Sequence, residues 1–306
     1  MMSPGARLRA AYMAGPIMIP GAFCALAARL AERLGFPAVY LSGGALSAGW
    51  AGLPDVGLLG LTEFAEQAAV LARATSLPVL CDADTGFGAA IHVERAVRLY
   101  EQAGLAGLHL EDQEMPKRCG HLSGKSLVEP AVMESKIRAA VSARRDPDFV
   151  IVARTDARGV EGYAAALARA RIYLAAGADM IFPEALESPL EFARFAHDLP
   201  APLLANMTEF GKSPLIPFED LARMGYRAAI YPLTGFRAAM RAVENTYRVL
   251  LEQGTQASLL GSMQSRAELY ELLGYSEWEK RDQAFFRPPA STVPEPNSVP
   301  ARPPAD

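Results

Sequence analysis

Cysteine is scarce in this chain. The three present, Cys24, Cys81 and Cys119, are far apart and odd in number, which argues against a disulfide framework and for a reducing, cytoplasmic setting. Histidine numbers only four among 306 residues. Cys119 and His121 lie close together with no second such pair, so a Cys/His zinc site is not expected. An excess of base is missing too: 30 Lys and Arg meet 34 Asp and Glu, a net charge of −4, without the basic footprint of a nucleic-acid binder. Arg, Glu or Asp interrupts every apolar run before it could cross a bilayer. The N-terminal stretch has two arginines but no apolar core followed by a cleavage site, so no signal peptide is expected. What is present is core: 51% of residues are hydrophobic and 21% charged, ample for a large buried interior.

Short apolar runs predict strands at 16–20, 38–42, 78–82, 107–111, 149–154, 180–183, 203–206 and 228–231. Between them, stretches such as 22–34, 63–75, 93–103, 133–144 and 162–176 carry apolar residues three and four apart, the spacing of a helix with one buried face. Near-continuous apolar strands belong in a parallel sheet covered by helices on both sides. About eight such units predict an α/β fold, a (β/α)8 barrel in place of an open sheet. Gly104 and Gly177 stand where glycine ends helices. From 237 to 286 the pattern is helical only, and these helices must bury their apolar faces on the barrel or on a neighbouring subunit. The expected organisation is one barrel domain over 1–286, including that extension. The tail, 287–306, has seven prolines and almost no large apolar residue, and is expected to be disordered.

The polar residues fall at strand ends. Strand two runs into Ser42-Gly43-Gly44, strand three into Asp82-Ala83-Asp84, and strand four into Glu111-Asp112. Strand five ends Arg154-Thr155-Asp156, strand six Pro183-Glu184, and strand seven Asn206-Met207-Thr208. In a parallel barrel these ends meet at one mouth, where active sites of this architecture sit. Asp82 and Asp84, two apart, can point the same way, and with Glu111 or Asp112 they make a cluster of anionic oxygens suited to Mg²⁺ or Mn²⁺. An Asp-x-Asp-x-Gly turn capping the next helix is the alternative. Cys119 lies beside Lys117, Arg118 and His121, whose positive charge is expected to favour its thiolate. Cys24 and Cys81 read as small core residues. His109 has no evident partner and could line the barrel interior, while His92 and His197 read as surface or packing positions. Gly86-Phe87-Gly88 lacks a third glycine, since Ile91 stands there, and follows an acidic strand end, so a dinucleotide site is rejected.

A set of segments, in order, carries a likeness: Tyr40-Leu-Ser-Gly-Gly44, Gly52-Leu-Pro-Asp-Val-Gly57, Asp82-Ala-Asp-Thr-Gly-Phe-Gly88, Glu111-Asp-Gln113, Lys117-Arg-Cys-Gly-His121 and Val152-Ala-Arg-Thr-Asp156. Phe182-Pro-Glu184, Leu204-Ala-Asn-Met-Thr-Glu-Phe-Gly211 and Met263-Gln-Ser-Arg-Ala-Glu-Leu-Tyr270 follow. Together, from about Ser3 to Phe286, they resemble the isocitrate lyase/phosphoenolpyruvate mutase superfamily, most closely its methylisocitrate lyases.

The resemblance implies a (β/α)8 barrel whose C-terminal helices are exchanged between subunits, usually in a homotetramer. It implies Mg²⁺-dependent cleavage of a small tricarboxylate, (2S,3R)-2-methylisocitrate, to pyruvate and succinate in propionate catabolism. Asp82 and Asp84 would hold the metal, with Glu111 reaching it through water. Ser42, Gly43 and Gly44 would bind a substrate carboxylate with Arg154, and Cys119, Gly120, Glu184, Asn206, Thr208, Arg237 and Arg266 would contact the remaining groups. Cys119 is the implied catalytic acid. Tyr40 is a candidate base, with a metal-linked carboxylate as the alternative. Phosphoenolpyruvate mutases and phosphonopyruvate hydrolases lack the Cys-Gly-His loop, and isocitrate lyase proper is longer. The segment from His121 to Leu127 also resembles the dimethylmalate lyases, the main rivals, and a non-catalytic barrel is a different class of alternative. Phe182 and Ile230 are expected to meet the extra methyl group, a discrimination of only about 1–3 kcal/mol.

Overall fold

The computed structural model describes residues 2–286; the tail expected at 287–306 lies outside them. The chain separates into two compact units, one reaching to Leu260 and one starting at Gly261.

The first unit contains eight strands: β1 (Ile17–Pro20), β2 (Val39–Leu41), β3 (Val79–Asp82), β4 (Gly107–Glu111), β5 (Val150–Thr155), β6 (Met180–Pro183), β7 (Leu204–Asn206) and β8 (Ala228–Tyr231). They pair in parallel as β2-β3-β4-β5-β6 and as β1-β8-β7. Single parallel bridges from Gly21 to Tyr40 and from Ile181 to Leu203 join the two ladders. The ring is therefore closed, and the expected barrel is the one observed.

Strand side chains alternate between two cores, as the two-residue period of a strand requires. Tyr40, Leu80, Val150, Val152, Phe182, Leu204 and Ile230 fill the barrel. Their neighbours Val39, Leu41, Ile151, Ala153 and Ile181 face the helical layer. Leu8 and Tyr12, from the helix Pro4–Ala14, join the inner cluster. That helix sits against the start of β5: a Cβ on Gly5 would lie 2.6 Å from the Asp148 carbonyl, so only glycine allows the approach. It fills the end of the barrel away from the strand C-termini and leaves the other end for polar residues.

The helix expected from 133 starts earlier, as Pro130–Ala143, with proline in its first turn, where the missing N–H costs nothing. Gly104 and Gly177, with φ of +87° and +105°, end helices as expected. Cys24 corrects its expectation: the helix there begins later, at Ala25, and Cys24 is an exposed residue preceding it. Cys81 is buried. His92 and His197 are exposed.

The helix Thr234–Gln253 ends the first unit's regular helices and buries none of its residues, leaving Met240, Tyr247 and Leu251 exposed. The second unit has helices Arg266–Leu273 and Tyr275–Phe286. Ser265 and Glu268 cap the first of these reciprocally, and Tyr270 stacks on Tyr275 with ring centres 4.7 Å apart. No helix among the described residues is long and apolar enough to cross a membrane.

Candidate active site

Asp82 is the last residue of β3. Its Oδ1 accepts the Asp84 N–H at 2.9 Å and its Oδ2 accepts the Gly43 N–H at 3.1 Å. The Gly86 N–H returns to the Ala83 carbonyl at 2.7 Å, so this segment is both an acid pair and a turn. Asp84 has a φ of +43°, a left-handed conformation that costs a residue with a side chain about 1–3 kcal/mol. Ser42 caps the short helix Gly43–Leu46 through its hydroxyl, which accepts from Ala45 N–H at 3.4 Å.

The loop after β4 delivers cations to these acids. Lys117 is buried, with Nζ 2.9 Å from Asp84 Oδ1 and in contact with Asp55. His121 Nδ1 accepts the Lys212 N–H at 3.0 Å, so its proton resides on Nε2, 3.2 Å from Glu184 Oε1. Lys117 and His121, two of the three residues expected to surround Cys119 with positive charge, are thus turned to carboxylates, and Arg118 donates to the Ser123 carbonyl at 3.4 Å. Burial pushes the Cys119 thiol up, outweighing the His121 backbone N–H and Arg154, which pull it down. The direction is opposite to the thiolate expected from the neighbouring charges.

Arg154, at the end of β5, gathers the remaining carboxylates. Its Nε lies 2.9 Å from Asp156 and 3.1 Å from Glu111, and its Nη2 lies 3.3 Å from Glu184. Burial alone would raise the Glu184 carboxyl, but Arg154 and His121 hold it well below the usual range. Asn206 donates to Glu184 Oε2 at 3.1 Å. On the opposite wall the Tyr40 hydroxyl is 2.7 Å from His109 Nε2. That nitrogen is also 3.5 Å from Asp82 Oδ1. Burial and then Asp82 push the Tyr40 hydroxyl well above its ordinary value, while burial pulls His109 down and keeps it neutral.

These groups surround a cavity lined by Tyr40, Ser42, Gly44, Asp82, Cys119, Gly120, Arg154, Glu184, Asn206 and Thr208. Most of the residues singled out in the sequence therefore meet there. Gly43 reaches it through Asp82, Asp84 through Lys117, and Glu111 through Arg154. Phe182 and Ile230 supply apolar wall. Arg237 does not line this cavity. It is exposed beside Phe210, its guanidinium 5.3 Å from the ring centre, and Glu209 lies 3.8 Å away. Arg266 belongs to the second unit. Sequence reasoning missed the pairing roles of Asp55, Lys117, His109 and Lys125. Each stands near a motif residue in the sequence, but its partner comes from another loop or strand.

Asp82, Asp84 and Glu111 are buried hard-oxygen donors. Burial drives Asp84 up to about 7, with Asp82 and Asp55 adding and Lys117 opposing. Burial drives Glu111 well above the carboxylate range despite Arg154. Carboxylates so crowded are a donor set whose charge a divalent cation would relieve. Among the described residues no three His, Cys, Asp or Glu side chains converge closely enough to hold an ion alone. An ion held by these donors would keep water ligands, as Mg²⁺ does.

The family model described as phosphoenolpyruvate phosphomutase matches residues 8–251. The chain is 52% identical over 271 residues to a 2-methylisocitrate lyase of Aeropyrum pernix, covering 89% of this chain and 87% of that one. It is 55% identical over 269 residues to a probable 2-methylisocitrate lyase of Corynebacterium glutamicum, covering 88% of each. A crystal structure of 2,3-dimethylmalate lyase is similar with a TM-score of 0.87 at 35% identity, covering 94% of this chain and 96% of that one. Sequence and fold agree, and the chain belongs to the phosphoenolpyruvate mutase/isocitrate lyase superfamily and, within it, to the 2-methylisocitrate lyase family.

Proposed function

We propose that this protein is a Mg²⁺-dependent carbon–carbon lyase that cleaves (2S,3R)-2-methylisocitrate to pyruvate and succinate. The observation that carries the reading is the Cys119 thiol on the wall of a cavity that also presents Arg154 and Asp82. A lyase of this kind must release one product half as a carbanion and protonate it.

Cleavage of the C2–C3 bond begins with loss of the C2 hydroxyl proton. The bonding electrons then pass to the succinate half, leaving its charge on an enediolate. Held by Asp82 and Asp84, with Glu111 acting through water, Mg²⁺ would lower the hydroxyl pKa and clamp the α-hydroxy acid. Arg154 and the Ser42–Gly44 backbone receive carboxylate groups, and charge-assisted hydrogen bonds from Arg154 grow stronger as charge develops. Cys119 delivers its proton to the carbanion, and succinate and pyruvate leave. Tyr40, on the cavity wall, takes the hydroxyl proton only when cationic charge balances Asp82; a metal-linked carboxylate is the alternative base. Phe182 and Ile230 accommodate the methyl group.

The exposed apolar face of Thr234–Gln253 supports burial against another copy. We assign 237–286 as an extension exchanged within a homotetramer, which brings Arg237 and Arg266 to substrate, and place the enzyme in the cytoplasm. The deciding assay offers the purified protein Mg²⁺ with 2-methylisocitrate, isocitrate, dimethylmalate or phosphonopyruvate, and measures pyruvate and glyoxylate. Pyruvate release from 2-methylisocitrate at the highest kcat/KM is expected. Fast dimethylmalate cleavage without turnover of 2-methylisocitrate would overturn the substrate assignment.

A further inference from the structure

We infer that Lys125 is a positioning residue that ties the Cys119 loop to the carboxylate orienting Arg154. Lys125 is buried, 8% exposed, and is absent from the cavity wall. Its ammonium donates to the Gly120 carbonyl, one residue past the thiol, and to Asp156 Oδ1 at 2.7 Å. Asp156 is fully buried. Its carboxylate receives Arg154 Nε at 2.9 Å and Nη2 at 3.2 Å. Its backbone N–H is held by Asp112 Oδ1 at 2.9 Å. A single ammonium therefore joins the segment carrying the acid to the group that aims the principal cation.

The other end of the loop is fastened separately. The Gln113 side chain accepts the Arg118 N–H at 3.0 Å and donates to the Arg118 carbonyl at 2.8 Å. The thiol thus lies between two clamps, Gln113 before it and Lys125 after it. Gln113 fixes the Arg118 backbone through neutral bonds and also donates to Glu111 Oε1 at 3.0 Å. Lys125 supplies charged bonds, which are about twice as strong as neutral ones, and through Asp156 it ties the loop to the residue that follows β5. A buried ammonium needs such partners, because unpaired it would be expelled toward water. Lys125 is therefore placed to act on the reaction through Gly120 and Asp156 without touching substrate.

The test is Lys125→Met, which keeps most of the aliphatic stem and removes the donors. Three quantities are read on the full-length protein: the rate of Cys119 alkylation by iodoacetamide without ligand, kcat and KM for 2-methylisocitrate, and Mg²⁺ binding by calorimetry. The freed loop exposes the thiol, and alkylation rises about 10-fold. Misplacement of the acid lowers kcat about 100-fold, with a much smaller change in KM and unaltered Mg²⁺ binding. Lys125→Gln, which keeps an N–H donor, restores part of both effects and serves as the reading if the methionine variant does not fold. Unchanged alkylation overturns the proposal whatever the kinetics. The kinetic arm rests on the reading of Cys119 as the acid. Faster alkylation with unchanged kcat would establish the tie and sink that reading.

Discussion

Lys117 Nζ lies 2.9 Å from Asp84 Oδ1, and both side chains are buried. A lysine that sequence alone assigns to the thiol's surroundings instead neutralises the acid pair at the end of β3. With Asp55 on its other side, it pairs with carboxylates from two separate loops.

Lys117→Met should therefore destabilise the ion-free protein by about 3–5 kcal/mol, the cost of stranding buried charge. Urea unfolding with and without saturating Mg²⁺ measures it. A good part of the loss should return with Mg²⁺, because ligand binding to the folded state stabilises it. An equal loss in both conditions would place the ion elsewhere than at Asp82 and Asp84.

Cys119→Ser should lower kcat about 10²- to 10⁴-fold, the range for removing a general acid. Mg²⁺ and succinate should bind as before by calorimetry, since the serine keeps the loop's shape. A kcat near wild type would give the acid role to another group.

Gly120→Ala tests the closeness of the loop to β5 and β6. A Cβ there would lie 2.3 Å from Arg154 Nη2 and 2.5 Å from Glu184 Cγ. The loop must retreat or the guanidinium must turn. kcat/KM should fall about 100-fold, as misplacements near 1 Å do, while the thermal unfolding midpoint moves little.

The pH dependence follows from the raised thiol. Because burial lifts Cys119, the proton stays on at neutral pH and is lost only above the ordinary thiol value of about 8.5. Iodoacetamide trapping should be slow at pH 7 and climb on the alkaline side, and kcat should decline over the same alkaline range. Rapid trapping at pH 7 would mean a thiolate and would refute this picture.

Leu251 is largely exposed on a helix that buries nothing. Leu251→Glu should shift the assembly to smaller species in light scattering, and activity should fall with it. An unchanged mass would separate this helix from the subunit interface.

Much of the fold was legible because strand burial leaves a plain record. β6 and β8 carry apolar residues on nearly every position, and they and β4 match the ranges predicted from the sequence. Helix starts were less so. The extended backbone at Cys24 before Ala25 and the proline that leads the helix at Pro130 set those starts, and apolar spacing does not report them. The acids at the mouth could be placed from strand ends, since a parallel barrel brings every C-terminus to one rim.

The sequence by itself determined which residues would reach that rim and the kinds of chemistry they bring: carboxylates, Arg154 and one thiol. Only the tertiary structure decided their pairings and protonation. Lys117 and His121 flank Cys119 in sequence, yet one pairs with Asp84 and the other hydrogen-bonds Glu184, and burial pushes the thiol up. Charge acts through space with a strength set by distance and local dielectric, and neither quantity is written in the order of residues. Cys119 is fitted to act as an acid less by its neighbours in sequence than by its place as a half-buried thiol, pushed up by burial, beside a cavity lined with counter-charges.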